Sequence, residues 1–158
     1  MGNNKNIGKN NNKRKVLLDI DEEVARNAPT AAYLRNEKNG LCYAIPVGEW
    51  TIGRSKDIDL DIPLKTDDQY ISREQAVIIL KKNHIGEFAM YIMDKMGKPN
   101  PTRINGLEID HSVEYQLYDG DVIRMGKTPI TVHLWIWGHN FPKKEGRISD
   151  ENRPVETK

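Results

Sequence analysis

The sequence predicts an all-β domain, a sandwich or barrel of roughly eight to eleven short strands with polar tails on both sides. Three observations carry that expectation. From Ala31 onward the chain breaks into short segments rich in Val, Ile, Tyr and Trp, residue types that suit a pleated, half-buried surface. These segments are separated by Asn39-Gly40, Asn105-Gly106 and Asp119-Gly120, which accept the backbone angles of tight turns. No stretch of this region gives a convincing helical spacing of apolar residues.

The elements follow in order. Met1 to Asn12 is an Asn/Lys tract with almost nothing to bury, so ordering it costs more than its contacts return and a disordered tail is expected. Between Lys15 and Thr30, Val16-Leu17-Leu18 leads into Asp19 to Arg26, which predicts a short helix with acids in its first turn and Pro29 as its stop. Residues 1 to 30 are therefore read as a tail, 31 to 138 as the domain and the polar residues 139 to 158 as a second tail. Inside the domain, Ala31 to Asn36 and Leu41 to Ile45 form a hairpin around Asn39-Gly40. Pro46-Val47-Gly48 turns the chain into a strand over Glu49 to Ile52, and Leu60 to Ile62 is a small strand ended by Pro63. Ala76 to Leu80 is apolar on both faces, as a buried central strand would be, and a turn at Asn83 to Gly86 leads to a strand over Glu87 to Met93. Two more hairpins are predicted. One joins Thr102 to Ile104 and Leu107 to Ile109 around Asn105-Gly106; the other joins Val113 to Tyr118 and Val122 to Met125 around Asp119-Gly120-Asp121. In the last strand, Ile130 to Trp137, one face carries Thr131, His133, Trp135 and Trp137 and the other Val132, Leu134 and Ile136.

Composition narrows the function. The net charge of the chain is +1. Residues 31 to 137 hold 13 Lys/Arg against 15 Asp/Glu, which weighs against a domain built to coat nucleic acid. The excess of Lys5, Lys9, Lys13, Arg14 and Lys15 in the N-terminal tail is left as the only nucleic-acid candidate. A lone Cys42 has no disulfide partner in the chain, no run reaches the length of a membrane span, and the N-terminus lacks an apolar signal core. A soluble, cytoplasmic protein is expected. Catalysis finds no support: Ser72 has no triad context, the four His are scattered, and no metal or phosphate-loop motif appears. Asp57, Asp59 and Asp61 alternate like calcium ligands but lack the Gly and Glu that complete an EF-hand. No catalytic residue, metal or cofactor is therefore expected.

The positions that do suggest chemistry lie between Thr51 and Ala76, where Gly53-Arg54 and Ser72-Arg73 stand at either end of an acidic segment. Two guanidinium groups and a hydroxyl would suit a phosphate if the fold brought them together. Ser72-Arg73-Glu74-Gln75 also fits a helix capping box, yet the β-branched run that follows favours a strand.

Four ordered motifs then resemble the forkhead-associated (FHA) domain. They are Ile52-Gly53-Arg54-Ser55, Ile71-Ser72-Arg73-Glu74-Gln75-Ala76, Asn100-Pro101-Thr102-Arg103-Ile104-Asn105-Gly106, and Leu117-Tyr118-Asp119-Gly120-Asp121-Val122-Ile123 running on to Gly126. The resemblance implies an FHA-like β-sandwich of about 11 short strands in two sheets, and a module that recognises threonine-phosphorylated proteins or peptides. It assigns the phosphothreonine to Arg54, Ser72 and Arg73, the peptide backbone to Asn100, and the architecture of the site to Gly53, Gln75, Thr102, Asn105 and Gly106. No small-molecule substrate and no membrane partner are implied.

Three positions depart from the family pattern: Gln75 stands for a His, Pro101 for a Gly, and Pro99 where some members carry a hydroxyl residue. Gln can both donate and accept, so it can replace His as a structural link, whereas Pro101 removes a backbone donor. The alternative expectation is a degenerate scaffold of this family, binding partners without phosphate, with Trp135 and Trp137 as a candidate face.

Overall fold

A computed structural model describes residues 15–30, 32–54, 60–97 and 99–134. These form β1 (Leu17–Ile20), helix α1 (Glu22–Arg26), β2 (Ala32–Asn36), β3 (Cys42–Ala44), β4 (Gly48–Arg54), β5 (Ile62–Leu64), β6 (Ala76–Lys82), β7 (Phe88–Asp94), β8 (Arg103–Ile104), β9 (Leu107–Glu108), β10 (Glu114–Leu117), β11 (Val122–Met125) and β12 (Thr128–Leu134). Two sheets result. One is ordered β1-β3-β2-β12-β11-β8-β9 and the other β10-β7-β6-β4-β5.

Alternation explains which faces meet. In β12, Thr128, Ile130, Val132 and Leu134 are buried while the residues between them are half-buried, so one side of the strand enters the core. Leu34, Tyr43, Ile130 and Val132 from the first sheet join Ile52, Ile78, Leu80 and Ile92 from the second in one continuous cluster. As predicted, β6 is central, held between β7 and β4 over nearly its full length. Burying each such Ile or Leu contributes roughly 1.5–3 kcal/mol. The Asn105-Gly106 turn forms as expected, with φ of 51° and 90° and Ile104 opposite Leu107.

Three expectations need correction. First, Val113 to Met125 is no hairpin: β10 pairs with β7 in one sheet, and β11 pairs with β12 and β8 in the other. The Asp119-Gly120-Asp121 turn exists, with Gly120 at φ 90°, but it carries the chain across the sandwich. Asp121 fixes this corner by accepting from Tyr118 N (2.7 Å) and from Asn105 Nδ2 (3.0 Å). Second, Pro63 lies inside β5 and does not end it. Strand β5 is at the sheet edge and pairs parallel with β4 alone, so a missing N–H is tolerated there.

Third, the sheet begins upstream of residue 31, because Leu17–Ile20 pairs with β3. The short helix forms over Glu22–Arg26 with Glu22 and Glu23 in its first turn, though Asp21 makes no side-chain cap. Five residues cannot hold a helix by themselves. Ala25 packs on Tyr33 and Cys42 at the outer face of the sheet, and Tyr33 Oη donates to Glu22 Oε2 at 2.7 Å. His133 stacks on Tyr33 with ring centroids 4.6 Å apart. The Tyr33 bond leads the influences that hold Glu22 below its usual carboxylate range. Burial pushes the Cys42 thiol up to about 11.

The Asn/Lys tract, Asp57, Asp59, Trp135, Trp137 and the C-terminal tail lie outside the described residues. Among the described residues, no helix is long and apolar enough to cross a membrane, and no cluster of three or more His, Cys, Asp or Glu is gathered for a metal.

Candidate functional site

Strand β4 ends in Gly53-Arg54, and the segment that enters β6 passes directly beside it. Arg54 N donates to Ser72 O, and Gln75 N to Ile52 O, each at 2.9 Å. This close approach requires glycine: a Cβ on Gly53 would lie 1.8 Å from Arg73 O. Arg54 folds back so that Nε donates to Ile71 O at 2.9 Å. That bond uses one of the five N–H donors of the guanidinium and fixes its plane. Arg54 and Ser72 are both half-buried and Arg73 is exposed, with no described residue hydrogen-bonded to the Ser72 hydroxyl.

Residues 72–75 form a turn before β6, which decides between the two readings of Ser72. Half of the capping pattern is nonetheless present, since Ser72 N donates to Gln75 Oε1 at 2.8 Å. Gln75 is fully buried, and its other side-chain atom reaches a second loop. Gln75 Nε2 donates to Asn100 O (3.1 Å) and to Thr102 Oγ1 (2.9 Å). One amide therefore links the loop of Ser72 to the loop of Asn100 using both its donor and its acceptor.

The second loop is anchored from below. Thr102 Oγ1 donates to Asp94 Oδ1 at 2.6 Å, and Thr102 N donates to Asp94 Oδ2 at 3.2 Å. Both residues are buried. Asn100 Nδ2 donates back to Tyr70 O at 3.2 Å. Gly53, Arg54, Ser72, Gln75, Asn100 and Thr102 thus form one connected group, with Arg73 on its rim. Asn105 and Gly106 lie apart from it, at the β8–β9 turn, and brace a different corner. There Asn105 Oδ1 accepts from Val122 N at 2.9 Å and Asn105 Nδ2 donates to Asp121.

Sequence reasoning missed Asp68. Its carboxylate is buried and accepts from Lys127 N (2.7 Å), Thr128 Oγ1 (2.6 Å) and Tyr70 N (3.0 Å). Burial works to raise its pKa, but these hydrogen bonds, led by Thr128, outweigh it and hold Asp68 below the usual range. A Cβ on Gly126, where φ is 58°, would sit 2.7 Å from Asp68 Oδ1. The loop before Ser72 is therefore pinned to the β11–β12 turn, and Lys127 Nζ rests 4.7 Å from the centre of the Tyr70 ring. The partners are some 60 residues apart in the chain, so no local pattern announces them. Only Gly126, the last residue of the fourth motif, hints at the close approach.

The arrangement sets the Arg54 guanidinium and the Ser72 hydroxyl on adjoining segments, which Gln75 links to the loop that carries the Asn100 carboxamide. Such a surface suits an anion with several acceptor oxygens.

Residues 50–126 match the family model described as the FHA domain. A domain solved in a structural and functional analysis of phosphothreonine-dependent FHA domain interactions is 28% identical, with a TM-score of 0.53 over 65% of this chain and 94% of that one. The FhaA FHA domain, solved with the intracellular domain of Rv3910, is also 28% identical, with a TM-score of 0.53, 65% of this chain and 99% of that one being covered. EmbR of Mycobacterium tuberculosis, solved with a low-affinity phosphopeptide, is 25% identical with a TM-score of 0.51, and the match covers 72% of this chain and 28% of that one. A comparison with curated protein sequences finds no match.

Proposed function

We propose that the chain is a forkhead-associated domain, on the match of residues 50–126 to that family's model, and that it binds phosphothreonine in partner proteins. The single observation that carries this reading is the Gln75 link, because it holds the loops of Ser72 and Asn100 together beside Arg54. Arg54 pairs with the phosphate, the Ser72 hydroxyl donates to it, Arg73 adds positive charge from the rim, and Asn100 bonds the peptide backbone. Gly53, Gln75 and Thr102 hold these groups in place, while Asn105 and Gly106 shape the sandwich behind them.

A phosphothreonine brings a charge of about −1.5 to −2 and three acceptor oxygens. Hydrogen bonds to a charged group are worth roughly 1.5–3 kcal/mol each, so two or three anchor a short peptide. The extra methyl of threonine over serine adds on the order of 1–3 kcal/mol where a pocket receives it. Gln75 supports the site's competence, since it makes the links a His would be asked to make. The unit responsible is residues 31 to 138 with β1 and α1 docked on it. It works as a binding module without a catalytic step, and within the cytoplasm, where kinases mark its ligands.

The test is fluorescence anisotropy with phosphothreonine peptides, their phosphoserine counterparts and the unphosphorylated sequences. Arg54→Ala should weaken phosphothreonine binding at least about tenfold, from the loss of one charge-assisted contact, with an unchanged circular dichroism spectrum. Equal binding by wild type and variant, or equal binding of dephosphorylated peptide, would sink the proposal. The second of these results would return the phosphate-independent scaffold.

A further inference from the structure

Beside the phosphate-facing rim lies a shallow cleft of about 540 Å³ lined by Lys38, Asp67, Asp68, Gln69, Tyr70 and Lys127. It is continuous with the site, because Tyr70 O accepts from Asn100 Nδ2 and Tyr70 is two residues from Ser72. Tyr70 is 50% exposed. It is nevertheless held firmly: its N–H is bonded to Asp68, and the same carboxylate takes the Lys127 N–H. The Lys127 ammonium lies over its face.

The charged groups of the cleft are not equally engaged. Of its two carboxylates, Asp68 is buried, accepts from three neutral donors and keeps its charge, which the Lys38 ammonium helps to stabilise. Asp67 is the other and is exposed, against two exposed ammonium groups, Lys38 and Lys127. Among the described residues, neither lysine is in an ion pair with a carboxylate. Elsewhere on this rim the charges cancel locally, since Lys95 pairs with Glu74 at 3.4 Å.

We propose that the Tyr70–Lys127 ledge makes this site selective for a phosphothreonine flanked by an acidic residue, whose carboxylate reaches the Lys127 ammonium. The inference rests on the phosphothreonine reading above. Lys127 is the residue that decides, because its ammonium already rests over the Tyr70 ring and its N–H is bonded to Asp68. An incoming carboxylate therefore meets a placed charge and spends little on ordering a free side chain. Asp67, exposed in the same cleft, would favour a basic flanking residue instead, so the sign of the preference is itself a test.

The experiment uses the full 158-residue chain and fluorescein-labelled phosphothreonine peptides in which one glutamate, alanine or lysine is walked through the flanking positions. On wild type, glutamate at one position should tighten binding about two- to fivefold over alanine, the range of a partly exposed ion pair. Lys127→Met, which keeps the aliphatic stem, should erase that preference, and Lys127→Glu should turn it toward lysine. Thermal melts confirm that both variants remain folded. Indifference to glutamate at every position, a lysine preference on wild type, or an undiminished glutamate preference in Lys127→Met would overturn the inference. In those cases the phosphothreonine reading stands. Loss of phosphate dependence in wild type would instead overturn both.

Discussion

Gln75→Ala is the perturbation that tests the site's construction most directly. Gln75 is fully buried and its side chain makes three hydrogen bonds, at 2.8, 3.1 and 2.9 Å. Truncation removes the Gln75 bond from Ser72 N and from Asn100 O, while Thr102 Oγ1 keeps its bond to Asp94. An unsatisfied buried group costs roughly 1–3 kcal/mol. Ser72 and Asn100 are only half-buried, so water replaces part of each loss and about 1 kcal/mol apiece is the better figure. The space left by the side chain adds about 1 kcal/mol more. A total of about 3 kcal/mol corresponds to a fall in Tm on the order of 10 °C for a domain of this size. Phosphopeptide affinity should fall as well, because the two loops lose their common anchor. Gln75→His, which can still donate and accept, should stay within about 1 kcal/mol of wild type. Thermal melts and anisotropy on the three proteins measure both quantities. A Tm for Gln75→Ala within about 2 °C of wild type, with unchanged affinity, would refute the linking role.

Three further outcomes are expected. Gly53→Ala forces a Cβ to 1.8 Å from Arg73 O, so it should destabilise by about 3 kcal/mol and displace Ser72 from Arg54; chemical denaturation and phosphopeptide titration check each part. Asp68 has a folded pKa below its ordinary value, so the unfolded chain takes up a proton first on acidification. Its stabilisation is complete above about pH 4 and is lost as pH falls through the lower folded value; urea midpoints between neutral and strongly acidic pH should therefore drop more steeply for wild type than for Asp68→Asn. Cys42, buried and with its thiol pushed up to about 11, should resist alkylation near neutral pH in the native protein and react readily in denaturant, as followed by mass spectrometry.

What can be read from the sequence is what is written locally. Asn105-Gly106 makes its turn by backbone chemistry that two residues contain. Ala76 to Leu80 declares a buried strand by being apolar on both faces, and the order of four motifs carries the resemblance to the FHA domain. The positions that escape depend on partners far along the chain. Asp119-Gly120-Asp121 signals a turn, but whether the chain doubles back or crosses to the other sheet is decided by Asp121 meeting Asn105. Pro63 reads as a strand ender until β5 proves to be an edge. Leu17–Ile20 is too short to declare itself, and its strand exists because β3 offers an open edge. In the site, Asn100 comes only with the family resemblance, while Arg54 and Ser72 are visible as types that suit a phosphate. Asp68 and Lys127 are not, since an ordinary loop carboxylate and an ordinary lysine differ from these only by what lies opposite.

The place of β12 has a consequence for how the molecule is made. This last described strand sits in the middle of its sheet, between β2 and β11, so the strands on either side of it share no pairing until it arrives. A chain emerging from the ribosome can complete the β4-β6-β7 meander early, but the larger sheet stays in two halves until about residue 134 is available. Pairings that span about 100 residues are slow to form. The Ser72 loop leaves the sheet that is finished first, yet its Asp68 anchor waits for Lys127 and Thr128 at the turn of the one finished last. Newly made protein should therefore lock the rim of Arg54, Ser72 and Asn100 only once the β11–β12 turn has arrived to hold Asp68.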